Sequence, residues 1–284
     1  MAVCAGLPLL KRSELDPLRT TTFGVGQLMR AAKEAGAEKI SLAVGGSATV
    51  DGGAGLAQAL GWRLLDASGR QIPPGGGGLS VLDRIEPPRE NEFSGVEVEV
   101  WCDVTNPLRG AKGAAAVFGP QKGASAADVE KLEAGLIRLA DVLERDVGVS
   151  IADKPGGGAA GGLAAGAVAF LGARLVSGVE ALMQVTQLAD CMRTVDWVVT
   201  GEGRFDSQSL EGKVVSGLCG LAHKTGASVA VLAGSVAVGE AEWRGVGIRA
   251  VEAATPEGLP WVEAIRLAVP LAESAAERLA AKMA

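Results

Sequence analysis

Short apolar runs alternate along the chain with longer stretches in which apolar residues recur every three or four positions. The runs at 39–44, 96–102, 195–200 and 228–233 predict strands, and three of them end in or next to glycine. Within 96–102, Val96, Val98 and Val100 alternate with Glu97 and Glu99, the period-two mark of a strand with one buried face. Helices are predicted over 22–35 (stopped by Gly36), over 53–62, and from 261 to 282 at the end of the chain. Ser125 and Asp128 form a capping box that opens a long helix with the apolar face Val129, Leu132, Leu136, Leu139 and Leu143. The stretch 73–78, two prolines and four glycines, reads as a flexible loop. Strand, glycine turn and helix in repetition predict an α/β fold with strands flanked by helices, in which ligands collect at the carboxyl ends of the strands.

The glycine-rich segments carry the chemistry. Gly45-Gly46-Ser47-Ala48-Thr49-Val50-Asp51-Gly52-Gly53 joins a strand to a helix. Its amides and hydroxyls suit an anion at a helix N-terminus, against the plainer reading of a capped tight turn. After the next strand come Asp103 and Asn106, a substrate-binding strand end or an Asx-type turn before Pro107. Gln121-Lys122-Gly123 offers a lysine for phosphate, although Lys122 taken alone reads as exposed, and Lys213 likewise. The segment 201–208 gathers Glu202, Arg204 and Asp206 in a turn after a strand, where acids can hold Mg²⁺ or take a proton and Arg can clamp phosphate. The plainer reading is a surface turn with a solvated ion pair.

Two familiar nucleotide motifs fail. Gly156 to Gly161 has dinucleotide-fingerprint spacing, but Asp153-Lys154-Pro155 interrupts any strand running into it. Gly212-Lys213 is followed by Val214 rather than the Ser or Thr of a P-loop.

Composition narrows the classes. Among 284 residues, aromatic side chains make up 4% with no Tyr, and the net charge is −6, which argues against a nucleic-acid partner. Cys4, Cys102, Cys191 and Cys219 show no CxxC pairing and sit among apolar neighbours, which predicts buried reduced thiols in a cytoplasmic protein. A lone histidine, His223, makes a dedicated zinc site a poor reading. The uncharged run 156–173 is mostly Gly and Ala, too weakly apolar for lipid, and predicts a packed buried helix rather than a membrane span. The five tryptophans are scattered, and core packing is the expectation for each.

In the same order along the chain, Gly-Gly-Ser-Ala-Thr-x-Asp-Gly-Gly, Asp-Val-Thr-Asn-Pro-Leu, Phe-Gly-Pro-Gln-Lys-Gly-Ala, Gly-Ala-Ala-Gly-Gly and Gly-Glu-Gly-Arg-x-Asp-x-Gln resemble the bacterial glycerate kinase family. The resemblance spans essentially the whole chain. It implies transfer of the γ-phosphoryl group of ATP to a hydroxyl of D-glycerate with Mg²⁺, in a two-domain α/β protein whose active site lies in the interdomain cleft. The expected domains are 1–195, glycine-rich with anion-binding turns, and 196–284, a partial Rossmann-like domain. Family members begin with a further stretch carrying Asp-Ser-Phe-Lys-Gly-Ser, which this sequence lacks. A shortened member is therefore expected, with the N-terminal part of one domain missing and the strands near 195 and 228 short of neighbours. Val50 stands where the family usually has Asn.

The expected roles follow motif and chemistry. Asp206 is the base or the metal-linked carboxylate, with Glu202 beside it. Asp103, Asn106, Arg204 and Gln208 face substrate. Gly45, Gly46, Ser47, Thr49, Asp51, Lys122 and Lys213 take the anion or nucleotide. Expected partners are glycerate and ATP and a second copy in a homodimer, with no nucleic acid and no membrane. The rival reading is a non-catalytic remnant that binds glycerate or nucleotide, or only self-associates.

Overall fold

The computed structural model describes residues 1–211 and 213–284, and of Gln208, Glu211 and Lys213 the backbone only. Two compact units follow one another along the chain, Met1–Gly178 and Val179–Ala284.

The first unit opens with α1 (Ala2–Ala5), α2 (Phe23–Glu34), β1 (Lys39–Ala43) and α3 (Ala54–Ala59). It continues through the hairpin strands β2 (Arg63–Leu65) and β3 (Arg84–Glu86), then β4 (Glu97–Trp101), α4 (Ala114–Phe118), α5 (Ala126–Val147), α6 (Leu163–Leu171) and β5 (Arg174–Val176). Its main sheet runs β1-β4-β5, all parallel, with Lys39 opposite Glu97 and Glu99 opposite Arg174. The alternation in β4 sorts its two faces as expected. Val98 and Val100 are buried in the core, while Glu97 and Glu99 bind Lys39 and Arg174 on the other face, Lys39 Nζ lying 3.0 Å from Glu99. Opposite charges directly across neighbouring strands pin the register.

The capping box of Ser125 and Asp128 opens α5, and Leu132, Leu136, Leu139 and Leu143 are its buried stripe. Beneath that stripe lies the segment expected to be a flexible loop. It is instead a 3₁₀ turn over Gly76–Val81 with Gly76, Gly78 and Leu79 buried. The absence of side chains lets α5 settle on its backbone, and a Cβ on Gly135 would stand only 2.9 Å from that of Leu79. The weakly apolar run ends in α6, buried almost throughout. Among the described residues no helix is long and apolar enough to cross a membrane.

The second unit comprises α7 (Gly178–Val185, whose first residue ends the first unit), α8 (Leu188–Met192), β6 (Trp197–Phe205), α9 (Ser207–Glu211), α10 (Lys213–Thr225), β7 (Ser228–Val236), α11 (Glu240–Gly245), β8 (Ile248–Ala253), α12 (Trp261–Arg266) and α13 (Ala268–Met283). Its sheet is β6-β7-β8, all parallel. The unit begins ahead of the boundary expected at residue 195 because Met192, with Leu188, packs into the core beneath this sheet. The strand at 228 was expected to lack neighbours, yet β7 is flanked on both sides.

Three further expectations change. β6 runs on through Gly201 and Gly203 to Phe205 in register with β7, so the predicted turn at 201–205 is strand. The closing helix breaks at Leu267, because Pro270 in the first turn of α13 has no N–H to return to the Arg266 carbonyl. Trp261 and Cys191, expected in the core, are exposed, whereas Trp243 and Cys219 are buried.

Candidate functional site

The turn after β1 is held from several sides. Leu7 donates to the Gly46 carbonyl at 2.9 Å, Ala48 N to Ala5 O at 2.9 Å, and Thr20 Oγ1 to Ala48 O at 2.7 Å. Gly52 N donates to Gly161 O at 3.0 Å, tying the turn to the glycine run 156–162. Gly161 sits at φ +68°, and a Cβ there would collide with the Thr49 carbonyl oxygen. Only glycine satisfies both the left-handed backbone and that approach. The run with fingerprint spacing is thus packing material for the anion turn, with no strand leading into it.

Asp51 is fully buried. Its carboxylate accepts from Thr22 N at 2.7 Å, Thr22 Oγ1 at 2.9 Å, Thr21 Oγ1 at 3.3 Å, Gly53 N at 3.1 Å and Gly55 N at 3.2 Å. Thr22 precedes α2 and Gly53 precedes α3, so one carboxylate serves the N-termini of both helices. The anion that these amides were expected to hold is supplied by the protein itself. Burial pushes this carboxyl above the usual carboxylate range despite its donors. Thr49 is buried as well, with its hydroxyl unpartnered. The Thr21 and Thr22 hydroxyls were not picked out from the sequence. Their place just before a helix was the signal.

Lys122, read from sequence as exposed, is 1% exposed. Its Nζ donates to Ser47 Oγ at 2.8 Å and Thr49 O at 2.7 Å. An ammonium carries three N–H groups, so one remains. Burial lowers its pKa from the usual 10.5 to about 8, opposed by the negative charge of Asp51.

These elements surround a cavity of about 430 Å³ at the carboxyl ends of β1 and β4. Gly45, Gly46, Ser47, Asp103 and Lys122 all line it. Asp103 is fixed by Ser177 Oγ and Gly178 N, each donating to Oδ1 at 3.1 Å. Trp101, not picked out from the sequence, also lines it and carries a buried, unpartnered Nε1–H. Thr49 and Asp51 stand behind the wall rather than on it. Asn106 does not line the cavity: its Nδ2 donates to Lys112 O at 2.8 Å, which is turn chemistry.

In the second unit, extended backbone separates what a turn would have gathered. Glu202 and Asp206 are four residues apart at the end of a strand, about 13 Å along an extended chain. Arg204 Nε lies 3.4 Å from Asp206 Oδ2 in an exposed pair. Asp206 Oδ1 accepts from Ser209 N at 3.3 Å, capping α9. Glu202 instead lines a separate cavity of about 340 Å³ at the carboxyl ends of β6, β7 and β8. The side chains of Gln208 and Lys213 lie outside the described residues. Among the described residues no three acidic, histidine or cysteine side chains gather as a metal cluster.

Parallel sheets with glycine-lined hollows at their carboxyl ends, one of them floored by a buried cation, define an α/β protein suited to a small anionic ligand. The chain belongs to the glycerate kinase family, whose sequence profile matches residues 1–284. It is 43% identical over 281 residues to a glycerate kinase of Halalkalibacterium halodurans, covering 99% of this chain and 74% of that one. It is 41% identical over 284 residues to a glycerate kinase of Bacillus subtilis strain 168, covering 100% of this chain and 74% of the relative. A crystal structure described as a glycerate kinase 2 from Salmonella typhimurium LT2 superposes with a TM-score of 0.78 at 41% identity, over 100% of this chain and 75% of that one. The chain spans about three quarters of the length of these relatives, and matching along the whole of it does not favour the reading as a non-catalytic remnant.

Proposed function

We propose that the protein transfers the γ-phosphoryl group of ATP to a hydroxyl of D-glycerate. Family membership sets the reaction class, and one observation carries the assignment to this chain: a buried lysine with an uncommitted N–H at the floor of a glycine-lined cavity. Lys122, Ser47 and the backbone of Gly45 and Gly46 take the negative oxygens of the substrate. Asp103 at the rim orients a glycerate hydroxyl as its acceptor, and Asn106 holds the loop that carries Asp103's neighbours.

Phosphoryl transfer asks the protein for positioning and charge neutralisation more than for covalent chemistry. Asp206 is the carboxylate that takes the hydroxyl proton or holds Mg²⁺, and Arg204, with Lys213 beyond it, pairs with phosphate. A single accessible carboxylate fits Mg²⁺, which binds through one or two carboxylates together with phosphate oxygens and waters. When bound, the ion neutralises phosphate charge. Thr49 and Asp51 act only through the turn they stabilise. The reading places the enzyme in the cytoplasm, and a homodimer through the exposed edge of β6 is checked by light scattering.

The test is a coupled assay of ADP release with D-glycerate and Mg·ATP. Glycerate-dependent turnover that disappears in Asp206→Asn is the expected result. No turnover above ATP hydrolysis in the intact chain sinks the proposal.

A further inference from the structure

A cleft of about 730 Å³ opens in the second unit at the amino ends of β7 and β8, beside the loops that follow α10 and α11. It lies at the opposite end of the sheet from Asp206, since β7 has nine residues and spans about 26 Å. His223, Lys224 and Arg249 border this cleft, all three exposed, and among the described residues no acidic side chain does. None of the three has an ion-pair partner among the described residues. Elsewhere in the unit Arg193, Arg204, Arg244, Arg266 and Arg278 each pair with an acid. In a chain of net charge −6, basic groups gathered without an acid are a local exception.

Helix ends explain only part of it. His223 and Lys224 stand in the last turn of α10, where a basic group offsets the negative end of the helix. That end carries about half an elementary charge, so Lys224 alone exceeds it. Arg249 is on no helix. It is the inserted residue of a β-bulge: Val229 pairs with Ile248 and Ala230 with Ala250, so Arg249 has no residue opposite it on β7. The bulge lets Ile248 and Val251 both enter the core on one face while Ala250 enters the core on the other. It takes Arg249 out of the pleat's alternation and leaves it on the rim of the cleft. Re-aiming one side chain is a recurrent use of such bulges.

We propose that this cleft is a second anion site, which takes a small phosphate-bearing molecule. Arg249 supplies a forked pair of N–H groups to two phosphate oxygens and Lys224 a compact charge. The His223 ring keeps one N–H donor even when neutral, and Ser228, at the start of β7, adds a hydroxyl. The volume lies within the range of small-molecule sites and exceeds what a bare phosphate fills, so an organic phosphate fits. The site uses none of the residues assigned to phosphoryl transfer, so its failure and the failure of that reading are separate results.

The test uses the intact chain. His223 is its only histidine, so the ring protons give one isolated NMR signal that reports from the cleft itself. Inorganic phosphate and glycerol 3-phosphate, titrated at fixed pH and ionic strength, are each expected to move that signal saturably. Arg249→Met raises the dissociation constant about tenfold or more, the loss of one charge-assisted contact, and Lys224→Met raises it in the same sense. Neither side chain is packed in a core, so both variants keep the wild-type urea midpoint. No saturable shift with glycerol 3-phosphate overturns the site, as does an equal shift with chloride at the same ionic strength. An unchanged dissociation constant in Arg249→Met overturns it too. A signal that follows protein concentration and not added phosphate makes the surface an interface between copies, and the anion site falls.

Discussion

The segments 45–53 and 201–206 have the same ingredients, glycines and acids leaving a parallel strand, and the fold treats them in opposite ways. The first turns away from its sheet and is enclosed. The glycine run 156–162 packs behind it, Asp51 joins two helix N-termini, and Lys122 lies against it from another loop. The second finds β7 alongside, and the ladder satisfies its backbone, so it stays extended and its acids remain near water. Whether a glycine-rich acidic segment bends depends on whether a neighbouring strand satisfies its backbone. In the first unit, polar side chains are consumed in making the hollow, and one cation remains over. In the second they project from a finished strand.

The sharpest way to break this contrast is Lys122→Met. It removes the cation from the floor and leaves Ser47 Oγ, Thr49 O and the Asp51 charge without it. Removing one partner from a buried charged network costs roughly 3–5 kcal/mol, and a lost oxyanion donor lowers turnover about 10²–10³-fold. Urea denaturation and the ADP-release assay read the two effects. A stable, active Lys122→Met protein would make the lysine incidental to both.

The same lysine predicts opposite pH trends for stability and activity. Its pKa is about 8 in the folded chain against 10.5 for an ordinary lysine. Between those values the unfolded chain holds the proton and the folded chain does not, so stability rises with pH across 8 to 10.5. Below about 8 both states are protonated and the contribution is gone. The full gain is roughly 3 kcal/mol, and it is absent from Lys122→Met. Turnover that depends on the ammonium falls as pH climbs through that lower value. Denaturation midpoints and kcat/KM measured across the range check both slopes.

For the second unit, Asp206→Asn is expected to lower turnover about 10²-fold or more and to shift stability by less than about 0.5 kcal/mol, since Asn also caps a helix. Gly161→Ala reverses the pattern. It forces a side chain into a left-handed position against Thr49 O and costs roughly 1–3 kcal/mol, with turnover per folded molecule changing less than in Asp206→Asn. Thermal melts alongside the assay separate the two.

Periodicity made the long helix and β4 legible, because the face of α5 and the Val–Glu alternation each report one local geometry. The 3₁₀ turn at Gly76–Val81 was hidden for the same reason: a glycine run has no side-chain period, and its burial depends on α5, some fifty residues away. Taken alone, Lys122 reads as exposed because its partners, Ser47 Oγ and the Thr49 carbonyl, are distant in sequence and one of them is backbone. The site motifs were visible as a set. What they could not convey was that Asp51 spends its charge on the fold, or that Glu202 lies within an extended strand and Asp206 just past its end.

The smallest effect expected is also the most direct comparison of the two cations. Arg204 is 69% exposed on its side chain, and its pair with Asp206 is solvated. Arg204→Met should change stability by no more than about 0.5 kcal/mol, the usual worth of an exposed ion pair. Lys122→Met, which likewise removes a cation but at a buried site, is several times costlier. If Arg204 meets phosphate during turnover, its variant raises the KM for ATP while leaving denaturation unchanged, and added salt weakens the wild type toward the variant because exposed charges are screened. A large stability loss in Arg204→Met would mean that the end of β6 is enclosed much as the turn after β1 is, and the contrast between the two regions would fail.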